Sequence, residues 1–341
     1  MTASRAFGFV IVVLILTLVL AACNLEQADC TRPEVFCVGL VTAYGKVDDH
    51  GLNQSAWEGV QQAKTEGLVD QAAFIETIDS RDRAKNIQTF LDDGYDLIVT
   101  VGIGMDEATR LAADEWPERR FIGVDQPQAE PLPNLTGLVF PEDHGGFLAG
   151  ALAALMTETG KVAALCELEE IASMWRYCEG FRAGVRFADP ELRARVIYNS
   201  ENSSRDLFND PAWGEEQALF VLESGVDILF AAGGETARGA LEAAAGRGVY
   251  VLGADEDMFY QLEYADFVLS SVVKQAGPGV FALIRLAVEG QFPGGEVEGQ
   301  FALGPGHSLE NRIPPTVRDR LESIRIGLTD GSIQTGVTPL P

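Results

Sequence analysis

The side chains that could do chemistry in this sequence stand just after its apolar runs. In the first half they are Asp48, Asp49, His50, Asn53 and Trp57 after the first run, and Asp125 and Gln126 after a later one. In the second half the corresponding places are segments 166–177 and 199–209, Gly233-Gly234-Glu235-Thr236 and Asp255-Glu256-Asp257. Carboxylates, amides and aromatic rings of this kind can hydrogen-bond and stack on a small polar ligand.

Other chemistry fits these residues less well. No nucleophile–base pair stands among them, and the spacing of the acids does not favour glycoside hydrolysis. Gly102-x-Gly104 and Gly233-Gly234 could cradle phosphate, but neither completes a phosphate-loop motif, and tight strand-to-helix turns explain both. Simple capping or packing roles remain open for each candidate, such as a helix cap for Asn53. We therefore expect a binding site without catalytic residues or cofactor.

The elements that must position these residues alternate between strand and helix. Val/Ile/Leu-rich runs bounded by Gly and Asp are typical of parallel strands buried on both faces. In the first half the pattern predicts strands over 36–42, 73–78, 97–101 and 120–125, and helices over 53–67, 84–92 and 105–115. The pattern then restarts and predicts strands over 138–140, 161–165, 195–198, 228–232, 250–254 and 299–303, and helices over 146–157, 179–189, 210–223, 236–247 and 316–326. Two doubly wound α/β lobes follow, with ligands expected at the carboxyl ends of the strands.

Charge and length narrow the classes of partner. The chain has 341 residues and a formal net charge of −26, from 25 Lys and Arg against 51 Asp and Glu. A surface this acidic repels phosphate backbones, so nucleic acid is not an expected partner. The acids are spread along the chain and form no single tail, which is typical of a solvated surface.

The first 22 residues have the pattern of a signal peptide. Arg5 precedes an apolar run, and the run ends in Leu20-Ala21-Ala22-Cys23, which resembles the lipobox of bacterial lipoproteins. That resemblance implies lipidation of Cys23, a tether over 23–35 and a place on the extracytoplasmic side of the cell membrane. An uncleaved anchor helix is the alternative, but it leaves the small-residue ending before Cys23 unexplained.

The remaining cysteines form an even set. In an oxidising compartment, proximity in sequence favours the disulfides Cys30–Cys37 and Cys166–Cys178. A metal site is the alternative, but the cysteines have no CxxC spacing and the histidines no HxxxH spacing.

Several segments resemble the signatures of one family. They include Asp48-Asp49-His50-Gly51-Leu52-Asn53-Gln54-Ser55-Ala56-Trp57-Glu58-Gly59, Gly145-Gly146-Phe147-Leu148-Ala149-Gly150, Gly180-Phe181-Arg182-Ala183-Gly184-Val185, Phe208-Asn209-Asp210-Pro211 and Leu269-Ser270-Ser271-Val272-Val273-Lys274. Together, in this order and behind a lipobox, they are similar to the basic membrane protein (BMP) family, the purine-nucleoside-receptor type of solute-binding lipoprotein of ABC transporters.

The resemblance implies a type I periplasmic-binding-protein fold, with two lobes joined by a three-segment hinge. It places 36–139 and 254–285 in the first lobe, and 140–253 and 286–341 in the second. It also implies a non-enzymatic receptor that delivers a purine nucleoside to an ABC permease. Another solute such as a flavin or sugar, or a sensing role, is the alternative.

The resemblance also assigns roles to residues in the cleft. It implies that Asn53 and Asp125 read the base and that Trp57, Tyr177 and Phe208 stack on it. It places Asp255 at the ribose hydroxyls with Gly234 and Lys274 nearby, and it implies that Asp49 orders the first loop. Three segments that line or border this pocket differ from the family pattern. His50-Gly51-Leu52 replaces a common Lys-Ser-Phe, 166–175 replaces a glycine-rich stretch, and 199–207 resembles an insertion.

Overall fold

The first sheet is built almost entirely from the first half of the chain. The computed structural model describes residues 28–43, 45–200 and 208–338, and within them this sheet has the strand order β11-β5-β4-β3-β1-β2, all parallel. Its strands are β1 (Cys37–Thr42), β2 (Gln71–Ile75), β3 (Leu97–Val101), β4 (Arg120–Val124), β5 (Leu135–Val139) and β11 (Gly295–Glu298). Helices α1 (Leu52–Thr65), α2 (Arg83–Asp92), α3 (Asp106–Glu115) and α8 (Ala276–Val288) pack against it.

The second sheet repeats this architecture. Its order within the described residues is β12-β10-β9-β8-β6-β7, and only β12 is antiparallel to its neighbour. The strands are β6 (Val162–Cys166), β7 (Ala194–Tyr198), β8 (Ile228–Ala232), β9 (Tyr250–Asp255), β10 (Val268–Lys274) and β12 (Phe301–Leu303). The accompanying helices are α4 (Glu142–Met156), α5 (Ala172–Ala188), α6 (Pro211–Leu222), α7 (Gly234–Ala245) and α9 (Pro315–Thr329).

Burial explains why the apolar runs are strands. Every residue of β1, β3, β6 and β8 is buried, since helices cover both faces of each sheet. The edge strands β2 and β7 are only partly buried. The predicted architecture of two doubly wound α/β lobes is confirmed.

The chain passes between the lobes where β5 leads to α4, where β10 leads to α8 and where β11 leads to β12. Main-chain hydrogen bonds join these passages: Gly299 N–H donates to the Val139 carbonyl at 2.7 Å, and Gln275 N–H donates to the Gln300 carbonyl at 2.8 Å. The hinge is therefore a band of adjacent segments, as the three-segment prediction requires.

The sheet topology corrects the predicted division of the chain. Residues 254–285 were expected in the first lobe, but β10 is hydrogen-bonded between β9 and β12 in the second sheet, and only α8 returns to the first. Of the strand predicted over 299–303, only residues 301–303 form a strand, β12, because the chain changes lobe at 299–300; β11, just before it, was not predicted and lies in the first sheet. The predicted second-lobe segment 286–341 therefore contributes β11 to the first sheet.

Two glycine-rich signatures form one helix pair. A Cβ on Gly146 would lie 2.1 Å from the Tyr177 carbonyl oxygen, and one on Gly184 would lie 2.0 Å from the Phe147 carbonyl oxygen. Helices α4 and α5 therefore touch backbone to backbone. This contact brings the first turn of α4 next to Tyr177.

The cysteines pair as predicted: Cys30 with Cys37 and Cys166 with Cys178. The signal peptide and residues 23–27 of the tether, Cys23 among them, lie outside the described residues, as do Tyr44 and residues 201–207 of the predicted insertion. In the part of the chain that is described, no helix combines the length and apolar character needed to cross a membrane.

Candidate functional site

Lys274 lies at the point where the two lobes meet. Its Nζ is 2.9 Å from both carboxylate oxygens of Asp125, 3.2 Å from Oδ1 of Asp255 and 3.7 Å from Oε1 of Glu142. Asp125 follows β4 of the first sheet, Asp255 ends β9 of the second, and Glu142 begins α4 just after the hinge. One ammonium group thus connects carboxylates from both lobes.

The exposure of these groups differs. The Lys274 side chain is only 5% exposed, whereas that of Asp125 is 26% exposed and that of Asp255 is 37% exposed. The ammonium therefore lies at the bottom of the cleft, and the partly exposed carboxylates of Asp125 and Asp255 face the cleft above it. We call these three groups the floor. Lys274 was predicted to lie near Asp255, and in this conformation its ammonium lies behind the two aspartates.

Both aspartates adopt an unusual backbone conformation. Asp125 has φ 61° and Asp255 has φ 68°, in the left-handed region that asparagine and aspartate tolerate better than most residues. Such conformations cost about 1–3 kcal/mol and are concentrated at functional sites. At both positions the turn directs a carboxylate toward the same lysine.

The carboxylates control the charge of the floor. Burial alone would lower the pKa of Lys274, but the nearby carboxylates of Asp255, Asp125 and Glu142 outweigh it and raise that pKa well above its usual value. Burial raises the pKa of Glu142, while Lys274 and Arg176 oppose that rise. Arg176 also forms an ion pair with Glu142 on the side away from Lys274.

Tyr177 supports the floor from the second lobe. Its hydroxyl donates to Oδ1 of Asp255 at 2.6 Å, and its ring is fully buried against Phe230 and Phe301. Burial raises the pKa of Tyr177 well above its usual value, and the Asp255 carboxylate adds to that rise. The ring therefore offers no face to a ligand in this conformation, unlike the stacking role that we predicted for it.

The loop before α1 forms the first-lobe wall. Asp49 accepts hydrogen bonds from the backbone N–H groups of Gly51, Asn53 and Gln54, so it orders this loop and the first turn of α1. The Asn53 side chain donates to the Lys46 carbonyl at 3.2 Å. Trp57 contacts Phe74 of β2 edge-on, with 5.1 Å between ring centroids, so its ring packs toward the sheet edge.

Phe208 and Gly234 lie together on the second-lobe wall. A Cβ on Gly234 would come within 2.8 Å of the Phe208 carbonyl oxygen, and that oxygen accepts a hydrogen bond from Glu235 N–H. Phe208 has φ 61°, and its N–H donates to the buried carboxylate of Glu167. Phe208 and Trp57 are both partly exposed, but the Trp57 ring packs against Phe74, so Phe208 is the predicted aromatic residue best placed to meet a ligand.

Sequence reasoning missed Glu142 and did not single out Glu167 within the candidate segment 166–177. Glu142 lies three residues before a glycine signature, but its partner Lys274 is more than a hundred residues away in the sequence. Glu167 follows β6 directly, which is the same kind of position that identified Asp125 and Asp255. The strand-end rule therefore covers Glu167, although its role was not assigned, whereas only the fold reveals Glu142.

A cavity of about 510 Å³ opens on one flank of the lobe interface, and His50, Gln54, Glu58, Asp257, Tyr260 and Gln275 are among its lining residues. The aspartates of the floor do not line it. We place the candidate site at the floor rather than in this cavity, because oriented polar groups from both lobes converge there. Among the described residues, no group of three or more His, Cys, Asp or Glu side chains is arranged to hold a metal ion.

Comparison with known proteins agrees with this architecture. A sequence model described as "ABC transporter substrate-binding protein PnrA-like", the Bmp family, matches residues 36–299. This chain belongs to that family. Membership makes it a substrate-binding protein of an ABC transporter, a class that binds a small molecule outside the cytoplasm and works with a permease.

Individual relatives are similar at modest identity. The chain is 26% identical to the "ABC transporter nucleoside-binding protein BmpA" of Lactococcus lactis, over 92% of this chain and 94% of that protein. It is 30% identical to "Basic membrane protein A" of Borreliella burgdorferi, over 68% and 67% respectively.

Solved structures share the fold. An ABC transporter solute-binding protein from Conexibacter woesei superposes with a TM-score of 0.72 at 20% identity, covering 90% of this chain and 99% of that one. A solute-binding protein from Aeropyrum pernix gives a TM-score of 0.64 at 22% identity, covering 88% and 92%. The predicted type I periplasmic-binding-protein fold is confirmed.

Proposed function

We propose that this protein binds a purine nucleoside between its lobes and delivers it to an ABC permease. The observation that carries the proposal is the pair of partly exposed aspartates, one from each lobe, held by the same buried lysine. A ligand that hydrogen-bonds to both aspartates bridges the lobes, and bridging favours the closed state of a hinged receptor. The name of the Lactococcus lactis relative supports the choice of ligand class.

The chemistry of a nucleoside suits this floor. Within the described residues, the contacts of Asp255 with Tyr177 and Lys274 both use Oδ1, which leaves Oδ2 to accept a hydrogen bond from a ribose hydroxyl. Asp125, on the first lobe, would accept from the donor edge of the base, which the Asn53 amide would also contact in this proposal. Because Lys274 already faces Asp125, Asp255 and Glu142, the floor has no spare positive charge to attract a phosphate ester.

The aromatic roles are divided in this proposal. Phe208, on the second-lobe wall, stacks on the base, and the neighbouring Gly234 leaves room for the backbone of Phe208. Trp57 and Tyr177 do not contact the ligand in this proposal. Trp57 packs α1 on its sheet, and Tyr177 holds Asp255 in place through a hydrogen bond. Asp49 maintains the loop that carries Asn53.

Calorimetric titration tests the ligand class. The full-length protein in detergent is titrated with inosine, guanosine and adenosine, and with riboflavin, ribose and galactose as competing classes. We expect saturable binding of at least one purine nucleoside and an increase in melting temperature that grows with its concentration. Binding of riboflavin or a sugar, with no response to any nucleoside, would reject the proposed ligand and leave the fold unaffected.

Substitution of the aspartates tests the site. Asp125→Asn and Asp255→Asn should each weaken nucleoside binding by about 1–3 kcal/mol, because a buried donor on the ligand loses its charged acceptor. Asp114→Asn is the matched control, since Asp114 is exposed on α3. Unchanged affinity in both cleft variants would contradict the site.

We further propose that Cys23 carries the lipid that holds the protein at the extracytoplasmic face of the cell membrane. Small residues before a cysteine at the end of an apolar run support this assignment. A Cys23→Ser variant should leave the membrane fraction and lose incorporation of a labelled fatty acid. Retention of the label by the variant would contradict the assignment.

A further inference from the structure

The lobes also touch through a second contact, which shares only Asp49 with the residues assigned to the ligand site. On the first lobe it involves Asp49, His50 and Gly51, which precede α1. On the second lobe it involves Glu256, Tyr260 and Gln261, which follow β9. We call these six residues the latch.

Three contacts define the latch. The rings of His50 and Tyr260 stack with centroids 4.3 Å apart and an interplanar angle of 16°. The Gln261 side-chain amide donates to the Asp49 carbonyl at 3.2 Å. Glu256 packs so closely on Gly51 that a Cβ at position 51 would lie 2.6 Å from Glu256 Cγ.

Glu256 is the unusual member of the latch. Its side chain lies among acids on every side: Asp49 across the interface, Asp255 beside it in the chain and Glu235 at the start of α7. No Lys, Arg or His side chain of the described residues forms an ion pair with Glu256; Lys274 pairs with Asp255 and Arg238 with Glu235. No hydrogen bond to the Glu256 carboxyl occurs within the described residues. A charged carboxylate is therefore poorly accommodated there, and a neutral carboxylic acid is well accommodated.

We propose that Glu256 makes closure of the lobes proton-dependent: the closed state takes up one proton from solvent at the Glu256 carboxylate, and opening releases it. This inference goes beyond transport of a nucleoside and holds whatever the ligand is. When the lobes separate, Glu256 leaves Gly51 and Asp49 and regains water, and its charged form is restored. Acidic conditions then favour closure and retention of ligand.

The direction follows from the affinity of Glu256 for its proton in each state. Burial and the carboxylates of Asp49, Asp255 and Glu235 raise the pKa of Glu256 from 4.5 to about 7 in the structure shown here. A hydrated carboxyl in the open state has its ordinary pKa. Between these two values the closed state binds more protons, so closure weakens as pH rises. The ratio of closed to open molecules should fall about fortyfold from pH 5 to pH 7 and level off above pH 8.

Energy transfer between the lobes measures this ratio without any ligand. Dyes are attached to unnatural amino acids introduced in place of the exposed Glu107 on α3 and Glu216 on α6 of the full-length protein in detergent. Wild-type protein should change from high to low transfer between pH 5 and pH 8. Glu256→Gln, which is neutral at every pH, should stay at high transfer throughout, and the control Glu263→Gln should behave as wild type. Because no ligand is present, the outcome is independent of whether the protein binds a nucleoside.

Two further variants make the test decisive. Gly51→Ala keeps every titratable group but displaces Glu256, so it should reduce the pH response at least threefold. If Glu256→Gln does not fold, Gly51→Ala tests the proposal in its place. His50→Asn removes the imidazole ring of the latch and should retain the response. A wild-type protein with no pH response, or a response that survives in Glu256→Gln and disappears in His50→Asn, would overturn the proposal.

Discussion

Nζ of Lys274 lies 2.9 Å from both carboxylate oxygens of Asp125, although the two residues belong to different sheets and are 149 positions apart in the chain. This ion pair spans the boundary between the lobes. It is almost entirely buried on the lysine side, so it experiences little screening by solvent. The same pair that shapes the floor therefore contributes to the relative placement of the lobes.

Loss of the lysine charge should be costly. In Lys274→Met the side chain keeps its volume, but Asp125 and Glu142 lose their common cation, and an uncompensated buried charge costs about 3–5 kcal/mol. Urea unfolding at pH 7 measures the loss. Lys85→Met on the exposed face of α2 is the control and should change the free energy of unfolding by less than about 0.5 kcal/mol. Equal stability of the two variants would show that Lys274 is not needed to neutralise the floor.

Tyr177 and Asp255 should be energetically coupled. A hydrogen bond to a charged acceptor contributes about 1.5–3 kcal/mol, so Tyr177→Phe should destabilise the protein by that order. In a double-mutant cycle with Asp255→Asn, the two losses should add to more than the loss in the double variant. Tyr264→Phe, at an exposed tyrosine, is the control. Strict additivity would mean that the hydroxyl does not position the carboxylate.

The two disulfides should differ in their effect on binding. Removal of either pair by Cys→Ala substitution should cost about 2–3 kcal/mol of stability, from the lost restraint on loops of 7 and 12 residues. Only the loss of Cys166–Cys178 should also weaken nucleoside binding, since Cys178 adjoins Tyr177 while Cys30–Cys37 is remote from the cleft floor. Calorimetry on both double variants checks this. Equal nucleoside affinity of the two double variants would show that Cys166–Cys178 does not support the binding site.

The contact between α4 and α5 should not tolerate a methyl group. In Gly184→Ala the new Cβ would meet the Phe147 carbonyl oxygen at 2.0 Å, so the helices must separate, at a cost of about 3 kcal/mol. Gly304→Ala is the control, since its nearest neighbour would be 3.5 Å away. Thermal unfolding compares the two. A Gly184→Ala protein as stable as Gly304→Ala would show that the helix pair adjusts without strain.

The free energy of unfolding should depend on pH through the Glu256 carboxyl. Its pKa of about 7 in the folded chain exceeds the ordinary 4.5, so the folded state binds the proton more tightly. The stabilisation is complete below pH 4.5 and is lost as pH rises to about 7, with a maximum of about 3 kcal/mol. Urea unfolding at pH 5 and pH 8 measures this loss, and the difference between wild type and Glu256→Gln isolates it from other groups. A difference that does not change with pH would contradict the assignment.

The sequence predicts most of the elements because their cores are local apolar runs. The strand over 97–101 and the strand over 228–232 match β3 and β8 residue for residue. Strand β10 was not predicted from its apolar pattern, because Ser270 and Ser271 interrupt it. Both serines are buried and satisfied, Ser270 by the Gly304 carbonyl and Ser271 by the Met258 N–H. A buried polar residue with a distant partner gives no local signal.

The site could be predicted only in outline for the same reason. The strand-end rule identifies Asp125 and Asp255, and the structure brings them to a common lysine. It cannot tell that the Tyr177 ring turns inward or that Glu142 supports Lys274, because both facts depend on packing between distant elements. The resemblance to a family supplies the overall fold but not the latch, where His50 and Gly51 depart from the family pattern.

The hinge described above has a consequence for how such receptors can diversify. Its segments are joined by main-chain hydrogen bonds, from Gly299 to Val139 and from Gln275 to Gln300. These bonds depend on the path of the backbone and not on the side chains of Gln275 or Gln300. Side chains in the cleft can therefore be exchanged to suit a new solute while the axis of motion stays the same. An engineered biosensor could inherit the bending of this protein unchanged and acquire its selectivity from replacements at the floor alone.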